Sequence, residues 1–488
     1  MDLLRRIDLW GRDFPERVAH ISEERRLSYG KLLHDSTALA AHLAQDLPDD
    51  RSPVAVLGHK QPEMLVGFLG SVKAGHPYVP IDIAVPPQRV ERILKTAGAR
   101  LMLTPDAIAD ILAGPAASQP MRTRPLGPAD PFYLIFTSGS TGEPKGVIIT
   151  LACLDSFLSW MLGAYSLGEG EVFLNRAPFT FDVSVMDTYL SLITGGTLFS
   201  ITNDDLTNPK QLYRALAASG TTVWSSTPSF VEMCLLERSF RAAMLPRLRL
   251  FVLAGEILPP PLVRALLDCF PEAEVWNAYG PTEATVLATA VRVDAAMLAR
   301  YPSVPIGYPK PDSRVLIFGP DGRPVADGQR GEIILVGPNV SIGYVGRPDL
   351  TAAAFFELDG MRAYRTGDWG RRTDGLIFYE GRIDSQIKLH GHRIELGDVE
   401  ANLQALPAVR SAAVLPVVKE GRPEALAAFV TLAERPGGAD AEVSQSLKAQ
   451  LSQRVPAYMV PRRFFIMDAL PLNTSGKVDR RKLADMLA

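Results

Sequence analysis

The stretch YLIFTSGSTGEPKGVIIT, residues 133–150, decides how the rest of the chain reads. Between two apolar runs it carries Gly139, Gly142 and Gly146, the hydroxyls of Thr137, Ser138, Ser140 and Thr141, and Lys145. Backbone N–H groups freed by glycine, hydroxyls and one ammonium are the groups that wrap a polyphosphate. A Walker loop reads G-x-x-x-x-G-K-[ST] and opens a helix whose amino end receives the phosphates. Here Pro144 replaces the second glycine and Gly146 replaces the magnesium-binding hydroxyl, while VIIT is β-branched and favours a strand. The loop is therefore predicted to be a phosphate-holding hairpin between strands, with Lys145 as a mobile charge.

Working outward, 488 residues exceed one ordinary core, and 47% apolar content is enough to build two or more domains. A net charge of -3 gives no reason to expect nucleic acid or an anionic membrane as a partner. No apolar run approaches the roughly 20 residues of a membrane span, and the charged start MDLLRRIDLWGRDFPERVAH lacks a signal-peptide core. Cys153, Cys234 and Cys269 are odd in number and far apart, which argues for a reducing compartment and against a disulfide or zinc framework. The chain is expected to be soluble and cytoplasmic.

Short apolar runs such as VAVLGH, TTVWSS and LRLFVLAGE alternate with segments of helical spacing such as PPPLVRALLDCF. That alternation predicts an α/β fold with mainly parallel, covered sheets. After about Pro305 the texture becomes Gly-punctuated short strands (SRVLIFGPDGRPV, GEIILVG, GLIFYEGRID), which predict a small β-subdomain. Beyond GRIDSQIKLHGHRIE a separate α+β pattern follows: ELGDVEANLQAL helical, VRSAAVLPVV and EALAAFVTLA extended, SLKAQLSQRV helical, with ERPGGADAE as a surface loop. The expected domains are 1–382 and 383–488.

With these segments in order, the chain resembles the adenylate-forming superfamily, which holds acyl-CoA synthetases, luciferases and the adenylation domains of nonribosomal peptide synthetases. Eight segments carry the resemblance nearly end to end: LSYGKL, VKAGHPYVPID, FDVSVMD, NAYGPTEATV, GEIILVG, YRTGDWG, GRIDSQIKLHGHRIE and PLNTSGKVDRRKL. It implies a large N-terminal domain and a small C-terminal domain that rotates about a hinge at Asp384 between two half-reactions. It implies ATP and Mg²⁺, acyl-AMP formation with release of pyrophosphate, and then thioester formation.

The resemblance also assigns roles residue by residue. Thr137, Ser138, Gly139, Ser140, Thr141, Gly142 and Lys145 grip phosphate. In NAYGPTEATV, Asn277, Ala278, Tyr279, Gly280, Pro281 and Thr282 cradle the nucleotide, with the Tyr279 ring on adenine, the Asn277 amide on the base edge and Thr282 on the α-phosphate. Glu283 offers Mg²⁺ a hard oxygen. The TGD turn of YRTGDWG places Asp368, with two acceptor oxygens, on the ribose hydroxyls. Tyr379 and Arg382 complete the nucleotide edge. Lys477 is the expected catalyst, because an ammonium between carboxylate and α-phosphate stabilises charge that gathers in the transition state. His390 and His392, two imidazoles with no third ligand nearby, read as turn and strand residues rather than a metal site, and His76 as a packed or hydrogen-bonded histidine.

Asp182 in FDVSV bears on the substrate. A carboxylate in an apolar wall is costly unless a cation pairs with it, and the α-ammonium of an amino acid is such a cation. The resemblance places Val183, Met186, Ser229, Val252, Ala254, Ala278, Val286 and Leu287 around the side chain, leaving room for a small one of the alanine class. Within the family the resemblance is strongest to stand-alone ligases that load D-alanine on a carrier. Ala254 departs from the cysteine of that branch and Leu287 from its smaller residue, so L-alanine, glycine, serine and β-amino acids stay open. The segment after Lys477 contains no carrier domain, so the thiol is expected from a separate phosphopantetheinylated carrier protein or from CoA. An acyl- or aryl-CoA ligase, disfavoured by Asp182, and a non-catalytic binding protein on the same fold, disfavoured by Lys477, Asp368 and Glu283 together, are the competing expectations.

Overall fold

The structure is a computed structural model that describes residues 2–48, 50–114, 125–139, 142–384, 386–419, 422–434, 439–471 and 478–487. It divides into two compact units. The first comprises Met1–Asp82, Thr96–Ile135 and Gly146–Ile383, the second Ile83–Lys95, Phe136–Lys145 and Asp384–Ala488.

The first unit is built on parallel sheet. Val18–Ser22, Thr197–Ser200, Val172–Asn175, Val223–Ser226, Leu250–Leu253 and Glu274–Tyr279 lie side by side as parallel neighbours. Antiparallel strands, Arg25–Ser28 at one end and Thr289–Arg292 then Tyr308–Pro309 at the other, finish the edges. A second sheet pairs Leu101–Leu103, Val54–Gly58, Tyr78–Asp82 and Pro131–Thr137 in parallel, with Lys145–Thr150 next in order. The runs VAVLGH, TTVWSS and LRLFVLAGE thus form the central strands their apolar continuity predicts, since a parallel strand is buried on both faces. Helices cover them. Pro62–Lys73 starts on proline with Glu63 in its first turn and ends on Lys73, matching the helix dipole, and is buried from Met64 to Val72. Val183–Ile193 is buried from Ser184 to Ile193.

The β-subdomain is an antiparallel sheet of Arg314–Phe318, Gly331–Val336, Met361–Thr373 and Phe355–Leu358, with Leu376–Arg382 also on Met361–Thr373. Here the structure corrects one expectation. The TGD segment is not a turn but part of the 13-residue strand Met361–Thr373. Gly367 at φ 69 and register shifts against both neighbours make it a bulge, which re-aims the Asp368 side chain without ending the strand.

In the second unit, the hairpin Gln386–Leu389/His392–Glu395 leads into the helix Leu396–Gln404. A long antiparallel pair, Val409–Lys419 with Arg422–Leu432, takes Arg463–Met467 as a parallel third strand. Val399, Leu403, Val414, Ala428 and Leu451 are fully buried among their neighbours and form its core. The helices and strands expected from ELGDVEANLQAL, VRSAAVLPVV, EALAAFVTLA and SLKAQLSQRV are all present.

Candidate functional site: a nucleotide edge and an apolar amino-acid wall

The first unit brings together, from three strands, the residues expected at the nucleotide edge. Tyr279 ends Glu274–Tyr279, and its hydroxyl donates to Asp368 Oδ2 at 2.5 Å. Arg382 donates from Nη1 to Asp368 Oδ1 at 2.7 Å and to the Thr366 carbonyl at 2.8 Å. The Asp368 carboxylate is therefore held from two sides and buried, oriented before any ligand arrives. Burial, and then the neighbouring Asp368, push the Tyr279 phenol well above its ordinary range, so it stays a neutral donor. The Tyr379 ring stands 6.4 Å from the Tyr279 ring, tilted by 40°. Asn277 is buried, and its amide donates to the Pro305 carbonyl at 2.7 Å, which ties down the strand rather than leaving that N–H for a base.

Pro281 and Thr282 follow, and Thr282–Ala284 forms a single 3₁₀ turn. Next come Thr285 at φ 54 and Val286 at φ 69. A β-branched residue in the left-handed region is a strained outlier, the kind of strain that collects at functional sites. Gly280 is required by close approach, since a Cβ there would lie 2.6 Å from Leu287 Cα and the Val286 carbonyl. Glu283 is fully buried, and its Oε1 accepts from the Tyr344 hydroxyl at 2.8 Å. Among the described residues no three His, Cys, Asp or Glu cluster as a metal cage. A magnesium ion that keeps its waters and leans on substrate phosphates needs only one protein carboxylate, so buried Glu283 fits it.

The residues expected to wall an amino acid also lie in this unit. Met186, Val252, Ala254, Ala278, Val286 and Leu287 belong to one buried apolar cluster, and Val183 packs against it. Asp182 stands immediately before the helix Val183–Ile193 and is partly exposed. Ser229 is fixed by Glu256, which accepts from its N–H and its hydroxyl, each at 3.0 Å. Glu256, two residues beyond Ala254, had no sequence signal beyond its place after an apolar strand.

Sequence reasoning also missed a buried polar network behind this wall. Lys60, 1% exposed, donates from Nζ to Asn175 Oδ1 and to the Ala177 carbonyl. Asn175 in turn donates to Asp187 Oδ2 at 3.2 Å and accepts from Ser200 Oγ at 3.1 Å. His20 meets Ser200 at 2.9 Å, and Ser225 donates to Asp187 Oδ1. Burial pulls the Lys60 ammonium down to about 7 and pushes Asp187 up to about 7, while the hydrogen bonds of Ser225 and Asn175 act against the latter. Burial also lowers His20 to about 3, so its ring is neutral.

The loop expected to hold phosphate falls in the second unit, which includes Phe136–Lys145. A Cβ on Gly139 would fall 2.1 Å from the Glu143 carbonyl, and Gly142 sits at φ 84, so both glycines are conformational requirements. Ser138 Oγ donates to the Arg393 carbonyl at 3.0 Å and accepts from the Glu395 N–H at 3.1 Å. Lys145 is not the expected mobile charge. Its ammonium lies 3.6 Å from Glu395 Oε1, with only 13% of the side chain exposed, because a buried carboxylate needs a cation nearby. Thr137 closes the strand Pro131–Thr137. Asp384 Oδ1 accepts from the Gln386 N–H at 3.0 Å, at the residue where the second unit resumes. His390 makes the hairpin turn at φ 49, and His392 stacks on Tyr458 with centroids 3.8 Å apart. His76 is buried and bonded to the Ser52 carbonyl at 2.8 Å. Ser140, Thr141 and Lys477 lie outside the described residues.

Residues 7–345 match the model of the AMP-binding enzyme family and residues 398–477 that of the AMP-binding enzyme C-terminal domain. The chain belongs to the AMP-binding enzyme family. It is 45% identical to a D-alanine–D-alanyl carrier protein ligase of Bacillus cereus, with 99% of each chain covered. In structure it resembles the Vibrio cholerae adenylation domain AlmE in complex with glycyl-adenosine-5'-phosphate, at a TM-score of 0.85 and 22% identity, covering 100% of this chain and 97% of that one. It also resembles the fused adenylation–carrier di-domain NpsA-ThdA of Klebsiella oxytoca, at a TM-score of 0.82 and 25% identity, covering 95% and 93%. No helix among the described residues is long and apolar enough to cross a membrane.

Proposed function

We propose that this protein is a cytoplasmic, ATP-dependent ligase that activates a small amino acid of the alanine class as aminoacyl-AMP and passes it to the phosphopantetheine thiol of a separate carrier protein. The observation that carries the reading is Asp182, at the head of a buried helix whose next residue, Val183, packs against the apolar cluster of Met186, Val252 and Ala254, read here as the substrate wall. Such a wall discriminates against polar side chains, and the carboxylate pairs with the α-ammonium. The 45% identity to a ligase named for D-alanine and its carrier supports the same substrate class and acceptor.

In the first half-reaction a carboxylate oxygen of the amino acid bonds to the α-phosphorus, the bond to the bridging oxygen breaks, and pyrophosphate leaves. Asp368 receives the ribose hydroxyls, preoriented by Tyr279 and Arg382. Thr282 donates to the α-phosphate, and the 137–145 loop holds the leaving phosphates. Lys477 supplies the charge that stabilises the transition state. Glu283 would hold Mg²⁺, which when bound would neutralise phosphate charge. In the second half-reaction the carrier thiol, giving up its proton, attacks the acyl carbon and AMP departs, with Asp384 as the hinge between the two states.

Amino-acid-dependent ATP–pyrophosphate exchange, run with both alanine enantiomers, glycine, serine and β-alanine, tests this directly. Exchange is expected with one or more of these, and none with any amino acid would end the proposal. Lys477→Ala should lower the exchange rate roughly 100- to 1,000-fold while ATP still binds. Thioester formation on a holo-carrier protein but not on CoA is the expected outcome of the acceptor assay.

A further inference from the structure

Residues 175–182 (NRAPFTFD) form the turn that ends on Asp182, and three of its groups meet one side chain from elsewhere in the fold. Lys60 Nζ donates to the Asn175 side chain and to the Ala177 carbonyl, and it lies 4.5 Å from the centre of the Phe179 ring. Asn175 also donates to Asp187, on the helix that follows the turn. The turn is thus fastened at its start, at its middle and, through Asn175 and Asp187, to the helix at its end.

The fastening point is itself rigid. His59 Nδ1 meets Asp82 Oδ2 at 2.6 Å, the His59 N–H donates to Gln61 Oε1 at 2.7 Å, and Pro62 starts a buried helix. Lys60 therefore reaches from a fixed loop into the first half of a turn whose own backbone bonds gather at its end: Phe181 N–H to Pro178 O at 3.0 Å, Ser184 N–H to Phe181 O at 3.0 Å and Val185 N–H to Asp182 O at 2.9 Å. Burying an ammonium is costly. A methionine would fill the same volume without that cost, so a lysine here points to a need for its donors.

We propose that Lys60 is a positioning residue for the amino-acid site: it sets the conformation of the 175–182 turn and, through it, the place of the Asp182 carboxylate. The inference rests on the amino-acid-ligase reading above, but part of its test does not.

Lys60→Met, which keeps length and loses the donors, should raise the KM for the amino acid at least tenfold while the KM for ATP stays within twofold. Lys60→Gln, shorter but still an N–H donor, should show a smaller rise and carries the same comparison should the methionine variant fold poorly. Equal rises in both KM values, or an unchanged amino-acid KM, would overturn the assignment. Amide hydrogen exchange supplies a readout free of any assumed substrate. The Phe181 amide should exchange faster in Lys60→Met, while amides of the Leu250–Leu253 strand are unchanged. Equal protection at Phe181 in wild type and variant would overturn the positioning role whatever the exchange assay shows. Absence of amino-acid-dependent exchange in the wild type alone would instead count against the ligase reading.

Discussion

Two charged clusters of the first unit use the same chemistry to different ends. At the nucleotide edge, Asp368 is gripped by Arg382 and Tyr279, and the side-chain exposures of Asp368 and Arg382 are 7% and 16%. Behind the amino-acid wall, Lys60 and Asp187 are completely enclosed and communicate through Asn175. On the proposed reading the first cluster's carboxylate serves a ligand, its two oxygens oriented by Tyr279 and Arg382. The second contains no group assigned to a ligand, so its influence passes through backbone. A charge placed for a ligand and a charge beneath a turn can both shape a site, and the deeper enclosure of the second ties it more closely to the stability of the fold.

Removing one member of each cluster separates these roles. Asp187→Ala leaves Lys60 buried without its carboxylate neighbour and strips Ser225 and Asn175 of an acceptor. Leaving a buried donor without its acceptor costs roughly 1–3 kcal/mol for each group. All five tryptophans lie in the first unit, so the denaturation midpoint of their fluorescence should fall sharply. A small change would mean that the enclosed cluster is not structural. Asp368→Asn should instead leave that midpoint nearly in place and raise the KM for ATP roughly 10- to 100-fold. That range corresponds to the roughly 1.5–3 kcal/mol of hydrogen bonds to a charged group. The amino-acid KM should not move, and a matching rise in it would erase the distinction between the clusters.

Much of this arrangement was legible in the sequence, for reasons that differ by residue. Parallel strands announce themselves because burial on both faces demands unbroken apolar runs, as in LFVL. That Met186, Val252, Ala254, Ala278, Val286 and Leu287 are buried together follows from the apolar segments that hold them, while their place around a substrate belongs to the proposal above. Other features depend on contacts distant in sequence. Lys60 meets Asn175 across 115 residues, and nothing in GHKQPE says that its ammonium is buried. The bulge at Gly367 read as a turn because glycine and aspartate signal both, and only pairing with Gly331–Val336 and Leu376–Arg382 distinguishes them. Lys145 read as mobile because its partner Glu395 lies 250 residues away.

The finest distinction between the clusters is their response to pH. Enclosure lowers Lys60 from 10.5 to about 7, with Asp187 and Asp82 resisting the shift and Arg176 adding to it. Between pH 7 and pH 9 the unfolded chain keeps the Lys60 proton while the folded chain gives it up. The unfolded state then binds more protons, so stability rises with pH across this window, by at most about 1.4 kcal/mol per pH unit from one group. Asp187, raised to about 7 from 3.8, opposes that slope up to about pH 8, because there the folded state holds the extra proton and stability falls as pH rises, so the Lys60 slope is cleanest between pH 8 and pH 9. Denaturation of wild type and Lys60→Met at pH 7, 8 and 9, followed by tryptophan fluorescence, isolates the lysine. The variant should lose the rising slope, while Asp368→Asn should keep it. A neutral Lys60 still has two N–H donors for the Asn175 oxygen and the Ala177 carbonyl. The turn should therefore hold its shape as the charge leaves, and the amino-acid KM should stay flat over the range in which stability climbs.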